Sequence, residues 1–135
     1  MIAYKKLFMQ CLHEHNVPYT EPADELVMID LAGENTTTSS FVIFKKFDRE
    51  TVGVSFFCSR VINVKDKVEE ALKVCNKLNH GKITKFFVDE DGNVQCGADL
   101  FVCEENCAHA CWIVLIKMLS DIDKVYPQFA KIKFS

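Results

Sequence analysis

The sequence predicts an α+β fold in which helices pack on an antiparallel sheet, with the element order α-βββ-α-ββ-α. Apolar residues recur at helical spacing near both ends and in the middle of the chain, and the segments between them show the alternation of strands. The 135 residues fit a single domain over 1–135, which buries about two-thirds of its surface on folding. A composition of 49% hydrophobic and 26% charged residues excludes a disordered chain or a coiled coil.

The first helix is predicted over residues 2–15, because five apolar residues share one stripe of its surface. These residues are Tyr4, Leu7, Phe8, Cys11 and Leu12. Pro18 and Pro22 follow the helix and predict an extended connection. A short strand is then predicted over 26–31 and a polar loop over 33–40.

Two further strands are predicted before the second helix, over 41–47 and 51–64. In the longer strand the even positions are apolar apart from Arg60, and the odd positions include Gly53, Ser55, Ser59 and Asn63. This alternation indicates an antiparallel strand with one buried face and one solvated face.

The second helix follows a sequence signal for its first turn. Asp66 and Glu69 have the spacing of a capping box, and Gly81 predicts the end of the helix. The face that we expect to pack on the sheet contains Val68, Leu72 and Cys75.

The last third of the chain predicts a hairpin and a long helix. Strands over 83–88 and 94–102 are joined by a turn in which Gly92 adopts a positive φ. A helix over 104–124 follows, and Pro127 predicts its end.

Seven cysteines are spread over the chain, at positions 11, 58, 75, 96, 103, 107 and 111. The odd count and the lack of an export signal at the start of this sequence predict free thiols in the cytoplasm. Cys103, Cys107 and Cys111 are four residues apart and would span about 12 Å along a helix, too far for one metal ion to bind all three. We therefore interpret the cysteines as small apolar core residues and predict no metal and no cofactor.

The sequence indicates no catalytic site. It contains no glycine-rich phosphate loop and no nucleophile or metalloprotease motif. A net charge of −3 without a basic block argues against nucleic-acid binding. The longest apolar run, Trp112–Ile116, is too short to cross a membrane. A thiol nucleophile paired with a histidine stays open, although no histidine is singled out.

The last helix is apolar around most of its circumference between residues 112 and 119. Only one side of such a helix can pack on its own sheet, so the other side needs a cover. A protein partner or a second copy of the chain in a two-fold dimer would supply that cover. The alternative is a helix that its own chain buries on both sides. The predicted interaction surface consists of Trp112, Ile116 and Leu119.

The stretch from Val68 to Leu100 resembles the YbjN-like family of bacterial proteins, which are described as sensory transduction regulators. The resemblance lies in A-L-x-x-x-N-x-L-N at 71–79, G-K-I-T-K-F-F-V-D at 81–89, the turn at Gly92, and A-D-L at 98–100. It implies a fold like that of type III secretion chaperones. It brings no catalytic residue.

The leading interpretation is a small, non-enzymatic cytoplasmic domain that regulates by binding a protein partner. The partner would dock on the sheet, on the edge of the sheet or on the last helix. One alternative is a secretion-type chaperone that holds an unfolded segment of a client. A second alternative is a thiol-dependent enzyme or redox protein.

Overall fold

The computed structural model describes residues 2–135 and contains three helices and six strands in that range. The predicted α+β class and the predicted order of elements are confirmed, with one additional strand near the start. The elements are α1 (Ile2–Glu14), β1 (Tyr19–Ala23), β2 (Leu26–Ala32), β3 (Thr37–Lys46), β4 (Val52–Asn63), α2 (Val68–Leu78), β5 (Lys85–Val88), β6 (Asn93–Val102) and α3 (Cys107–Lys133).

All six strands form one antiparallel sheet in the order β1-β2-β3-β4-β6-β5. Along the central strands, every second side chain is buried against the helices. Phe8 of α1 packs on Phe44 and Phe56, with ring centroids 5.8 and 6.3 Å apart. Phe129 of α3 packs on Phe86 of β5 at 6.1 Å. The core therefore lies between the helices and one face of the sheet.

The additional strand, β1, lies where we predicted only an extended connection. It pairs with β2 at the edge of the sheet, and the pairing is irregular between Thr20 and Ala23. Pro22 is compatible with this position because an edge strand has one side without ladder bonds. The predicted loop over 33–40 is wrong for its second half, since β3 begins at Thr37 and turns Thr38 and Ser40 inward.

Helix α2 is rotated relative to the prediction. Ala71 and Cys75 are its buried residues, whereas Leu72 is 46% exposed. One residue step turns a helix by about 100°, so Leu72 points away when Ala71 faces the sheet. The prediction that Leu72 is a core residue is wrong. The predicted capping box is also wrong, because Lys67 is the N-cap and no side chain caps the helix.

Helix α3 continues through Pro127 to Lys133, so the predicted end at Pro127 is wrong. Proline has no N–H to donate to the carbonyl four residues earlier, which belongs to Asp123. The Asn35 side chain donates to that carbonyl instead, with Nδ2 at 2.9 Å from the oxygen. The additional turns carry Phe129 into the core.

None of the helices within residues 2–135 is both long enough and apolar enough to cross a membrane.

Candidate functional site

The face of the sheet that turns away from the helices carries several large apolar side chains. We call it the open face. Its side chains are partly or fully exposed in the described chain, and the larger apolar ones are Met28, Phe41, Ile43, Phe57, Phe87 and Phe101. Exposed apolar area of this kind marks binding surfaces in small proteins.

Strand pairing brings the open-face residues together from distant parts of the sequence. Met28 of β2 lies opposite Phe41 of β3, and Phe41 lies opposite Phe57 of β4. We call a line of paired open-face residues that crosses neighbouring strands a row. Three rows cross from β4 to β6: Phe57 with Gly97, Ser55 with Asp99, and Gly53 with Phe101. Each row thus combines a small residue with a large or charged one.

A first concave region of about 490 Å³ has Gly97 as part of its floor. A Cβ atom at Gly97 would lie 3.5 Å from the Phe57 ring and 3.9 Å from the Phe87 ring, so the two rings flank the glycine. Ile43 and Ile83 complete the apolar lining, and Ile83 is 68% exposed. The missing side chain at Gly97 leaves room for an apolar group of a partner.

A second concave region of about 360 Å³ lies beside Gly53 and Phe101. The Phe101 ring covers Gly53, at 3.6 Å from the place where a Cβ atom would be. Phe47 contacts Phe101 edge to face, with centroids 4.8 Å apart. Both phenylalanines are more than 60% exposed, so most of the surface of this aromatic pair meets solvent.

Asp99 lies at the junction of the two regions and lines both of them, together with Ser55. Ser55 Oγ donates a hydrogen bond of 2.5 Å to Asp99 Oδ1. A similar pair exists elsewhere on the open face, where Ser39 Oγ donates to Asp30. Lys85 also lines the first region, but its Nζ donates to the carbonyl of Asn79 at 2.9 Å.

Both edges of the sheet are partly closed. On β5, the side chain of Asn79 accepts from Phe86 N at 2.6 Å and donates to Phe86 O at 2.8 Å. On β1, Lys5 donates to the carbonyl of Ala23 at 3.2 Å. A backbone N–H that is already bonded cannot donate to an added strand, and a bonded carbonyl is a less available acceptor. The geometry therefore favours docking on the face over docking on the edge.

The predicted interaction surface on α3 is only partly free. Trp112 stacks on His15, with ring centroids 3.8 Å apart and planes at 19°, so the residue that follows α1 covers part of it. Leu119 is partly buried, and Ile116 is 39% exposed. This surface stays a prediction. Docking on the sheet was expected from the sequence, but the phenylalanines of the open face were not singled out, although they occupy odd positions of β3 to β6.

A loop beside Ile116 and Leu119 is fixed to α3 by one carboxylate. Asp123 accepts hydrogen bonds from the backbone N–H groups of Glu34, Asn35 and Thr36, at 3.1, 2.9 and 3.1 Å. These bonds, led by that of Asn35, lower the pKa of Asp123. A Cβ atom at Gly33 would lie 2.2 Å from Asp123 Oδ1, so a side chain there would displace the carboxylate from these bonds.

The seven cysteines are free, as predicted, and six of them are buried. Burial raises the pKa of the Cys58 thiol and raises that of Cys75 to about 11. Helix α3 begins at Cys107, three residues after the predicted start at 104, so Cys103 lies outside the helix. Among residues 2–135, no group of three metal-ligating side chains comes together.

Within residues 2–135, Cys11 and His15 form the one hydrogen-bonding contact between a cysteine and a histidine. Sγ lies 3.7 Å from Nδ1, but Nδ1 lies 2.9 Å from the carbonyl oxygen of Cys11. A carbonyl only accepts, so Nδ1 carries the hydrogen and cannot take a proton from the thiol. Burial raises the pKa of Cys11 as well. This pair lacks the activation that a thiol nucleophile requires.

Comparisons with known proteins give a fold and no family. No family model matches the chain, and no curated protein matches it. Among solved structures, the crystal structure of the ExsC–ExsE complex matches with a TM-score of 0.56 and 15% identity, over 90% of each chain. At this identity the likeness concerns the fold alone. It confirms the predicted type III secretion chaperone-like fold, while the resemblance to the YbjN-like family stays a prediction.

Proposed function

We propose that this protein is a non-enzymatic, chaperone-like binding protein that holds an extended segment of a partner protein on its open face. The observation that carries the proposal is the exposure of Phe87, Phe101 and Phe47 beside two glycine-floored concave regions. The complex of ExsC with ExsE, whose structure this fold resembles, supports it by analogy. The sensory regulation that the family resemblance implies would act through the same binding step.

The exposed phenylalanines supply part of the free energy for such binding. Complete burial of a large apolar side chain contributes about 1.5–3 kcal/mol, so three of them contribute at most about 9 kcal/mol. Micromolar affinity requires about 8 kcal/mol beyond the cost of association and of ordering a segment, so apolar side chains of the segment must be buried as well. The hydrogen bonds at Phe86 and Ala23 leave fewer edge groups for strand pairing and favour the face as the place where the segment binds. Side chains of the partner, rather than backbone pairing, would then supply most of the affinity.

We also propose that the protein is a two-fold dimer in the cytoplasm and that one domain spans residues 1–135. The surface expected between the copies is that of Trp112, Ile116 and Leu119, next to Ile113, which is 52% exposed. This surface lies on α3 and leaves the open face of each copy free for a partner.

A permanently unfolded protein tests the binding function. We expect fluorescein-labelled, reduced and carboxymethylated α-lactalbumin to bind, measured by fluorescence anisotropy. The double variant Phe87→Ser, Phe101→Ser should bind about tenfold more weakly, because two exposed rings are lost.

Phe134→Ser is the matched control, because Phe134 is 78% exposed but belongs to the end of the chain after α3. It should bind like the wild type. Equal binding by the double variant and the wild type, or no binding by the wild type, would contradict the proposal.

A further inference from the structure

We infer that the segment bound by the open face carries a lysine or arginine flanked by apolar residues two positions away on each side, and that Asp99 pairs with this cation. The inference rests on the proposed function and adds the chemistry of the partner. It comes from the order of charged and apolar groups across the open face.

The two concave regions and Asp99 lie on one line along β6. Gly97, Asp99 and Phe101 are successive open-face positions of this strand, and strand residues rise by about 3.4 Å each. Asp99 is therefore about 7 Å from the position on either side. An extended segment that runs along β6 has the same spacing between alternate side chains, so three of them meet the three rows.

The charge of each row determines which side chain fits above it. The row of Gly97 includes Lys85, and the row of Gly53 includes Lys45. Cations on a partner are disfavoured at both of these rows. The middle row has the carboxylate of Asp99, and within the described chain no lysine, arginine or histidine nitrogen lies within 4 Å of it. A cation of the partner is thus favoured at the middle row only.

The outer rows favour apolar side chains. The first row lies in the concave region beside Phe57 and Phe87, and the third row lies beside Phe101 and Phe47. The resulting pattern, apolar–x–cation–x–apolar, reads the same in both chain directions. The inference therefore requires no assumption about the direction of the bound segment.

A second copy of this chain is the competing occupant. Its residues 83–87, which end in β5, carry Ile83, Lys85 and Phe87 at the inferred spacing. In the folded chain, however, Lys85 is bonded to Asn79 and β5 is fixed in the sheet. An extended segment of another protein meets Asp99 without breaking those contacts, so we assign the face to it.

Synthetic peptides test the inference by NMR titration of the 15N-labelled protein. The probes are Phe-Ser-Arg-Ser-Phe and Phe-Ser-Glu-Ser-Phe, each flanked by Gly-Ser. The amide signals of Gly53 and Gly97 report binding, and that of Gly81, in the connection after α2, is the internal reference. At about 50 mM salt we expect the arginine peptide to bind about fivefold more tightly, and we expect added salt to reduce this ratio.

Two variants, each with an aspartate replaced by asparagine, test which carboxylate is responsible for the preference for the arginine peptide. Asp99→Asn should bring the two peptides within about twofold of each other, because only the carboxylate distinguishes them. Asp30→Asn is the matched control, since Asp30 also accepts from a serine on the open face but lines neither concave region. It should keep the wild-type preference.

Each outcome has a separate meaning. Equal binding of both peptides by the wild type, with shifts at Gly53 and Gly97, overturns the role of Asp99 but leaves segment binding on the open face intact. Loss of the preference in Asp30→Asn also overturns the inference. Failure of both peptides to bind overturns it too, and the α-lactalbumin experiment then decides separately whether the open face binds a partner. If the wild type binds neither peptide and the Phe101→Ser substitution lowers the molecular mass in solution, the open face would be assigned to a second copy of the chain.

Discussion

Asp123 shows how single residues connect distant parts of this chain. Its carboxylate accepts from three backbone N–H groups of the loop at 34–36, and its own carbonyl accepts from Asn35. That carbonyl is free because Pro127 has no hydrogen to donate to it. Pro127 signals a helix end in the sequence, and here its effect is cancelled by a residue 92 positions earlier. Contacts of this kind cannot be predicted from local patterns.

Asp123→Asn is expected to lower stability at pH 7, because an amide accepts fewer and weaker hydrogen bonds than a carboxylate. The pKa of Asp123 is lowered in the folded state. The Asp123 carboxylate therefore contributes fully to the free energy of unfolding above the unfolded pKa of about 3.9. This contribution is lost as the pH falls through the folded pKa. Urea unfolding of the wild type and the variant should differ at pH 7 and converge in acid.

The control for this variant is Asp66→Asn, at the position of the capping box that the sequence predicted and the structure does not form. It should unfold at nearly the wild-type urea concentration. Equal effects of the two substitutions would show that the loop at 34–36 does not depend on the Asp123 carboxylate.

The strands show what residue periodicity can and cannot predict. Alternation in 51–64 predicted β4 and its buried face, including Val54 and Phe56. The same alternation indicated that the other face is solvated, and Ser55 and Gly53 agree with that. Only the pairing of β3 with β4 and of β5 with β6 places Phe41 and Phe87 on that face too. The open face is a property of strand register, which no single segment encodes.

Helix α2 provides a test of the observed orientation. Leu72→Ala should change the free energy of unfolding by less than about 0.5 kcal/mol, because Leu72 is 46% exposed. Leu115→Ala in α3 is the matched comparison, since Leu115 is completely buried and the change is the same. It should cost about 2–5 kcal/mol. A larger loss for Leu72→Ala than for Leu115→Ala in urea unfolding would contradict the rotation of α2.

On the scale of the whole molecule, the placement of all three helices on one face of the sheet determines where binding can occur. A sheet covered on both faces would have no open face, and a sheet with free edges would invite strand addition. The class and the order of elements could be predicted because each helix and most strands have local periodicity. The strand order and the hydrogen bonds of Asn79 and Lys5 at the sheet edges could not be predicted, because they depend on contacts between elements.

The apolar excess of α3 leads to the last prediction, which concerns assembly. Ile116 and its neighbour Ile113 remain exposed on α3, although His15 covers part of Trp112. Both side chains are about half exposed, so burial of the pair from each copy contributes roughly 3–6 kcal/mol in total, and the exposed parts of Trp112 and Leu119 add to the apolar area that favours association. Light scattering coupled to size exclusion should give twice the chain mass of 15.4 kDa. Ile116→Glu should halve it, and Leu72→Glu, an exposed position on α2, should not. A wild-type mass near that of one chain at all concentrations would refute the dimer.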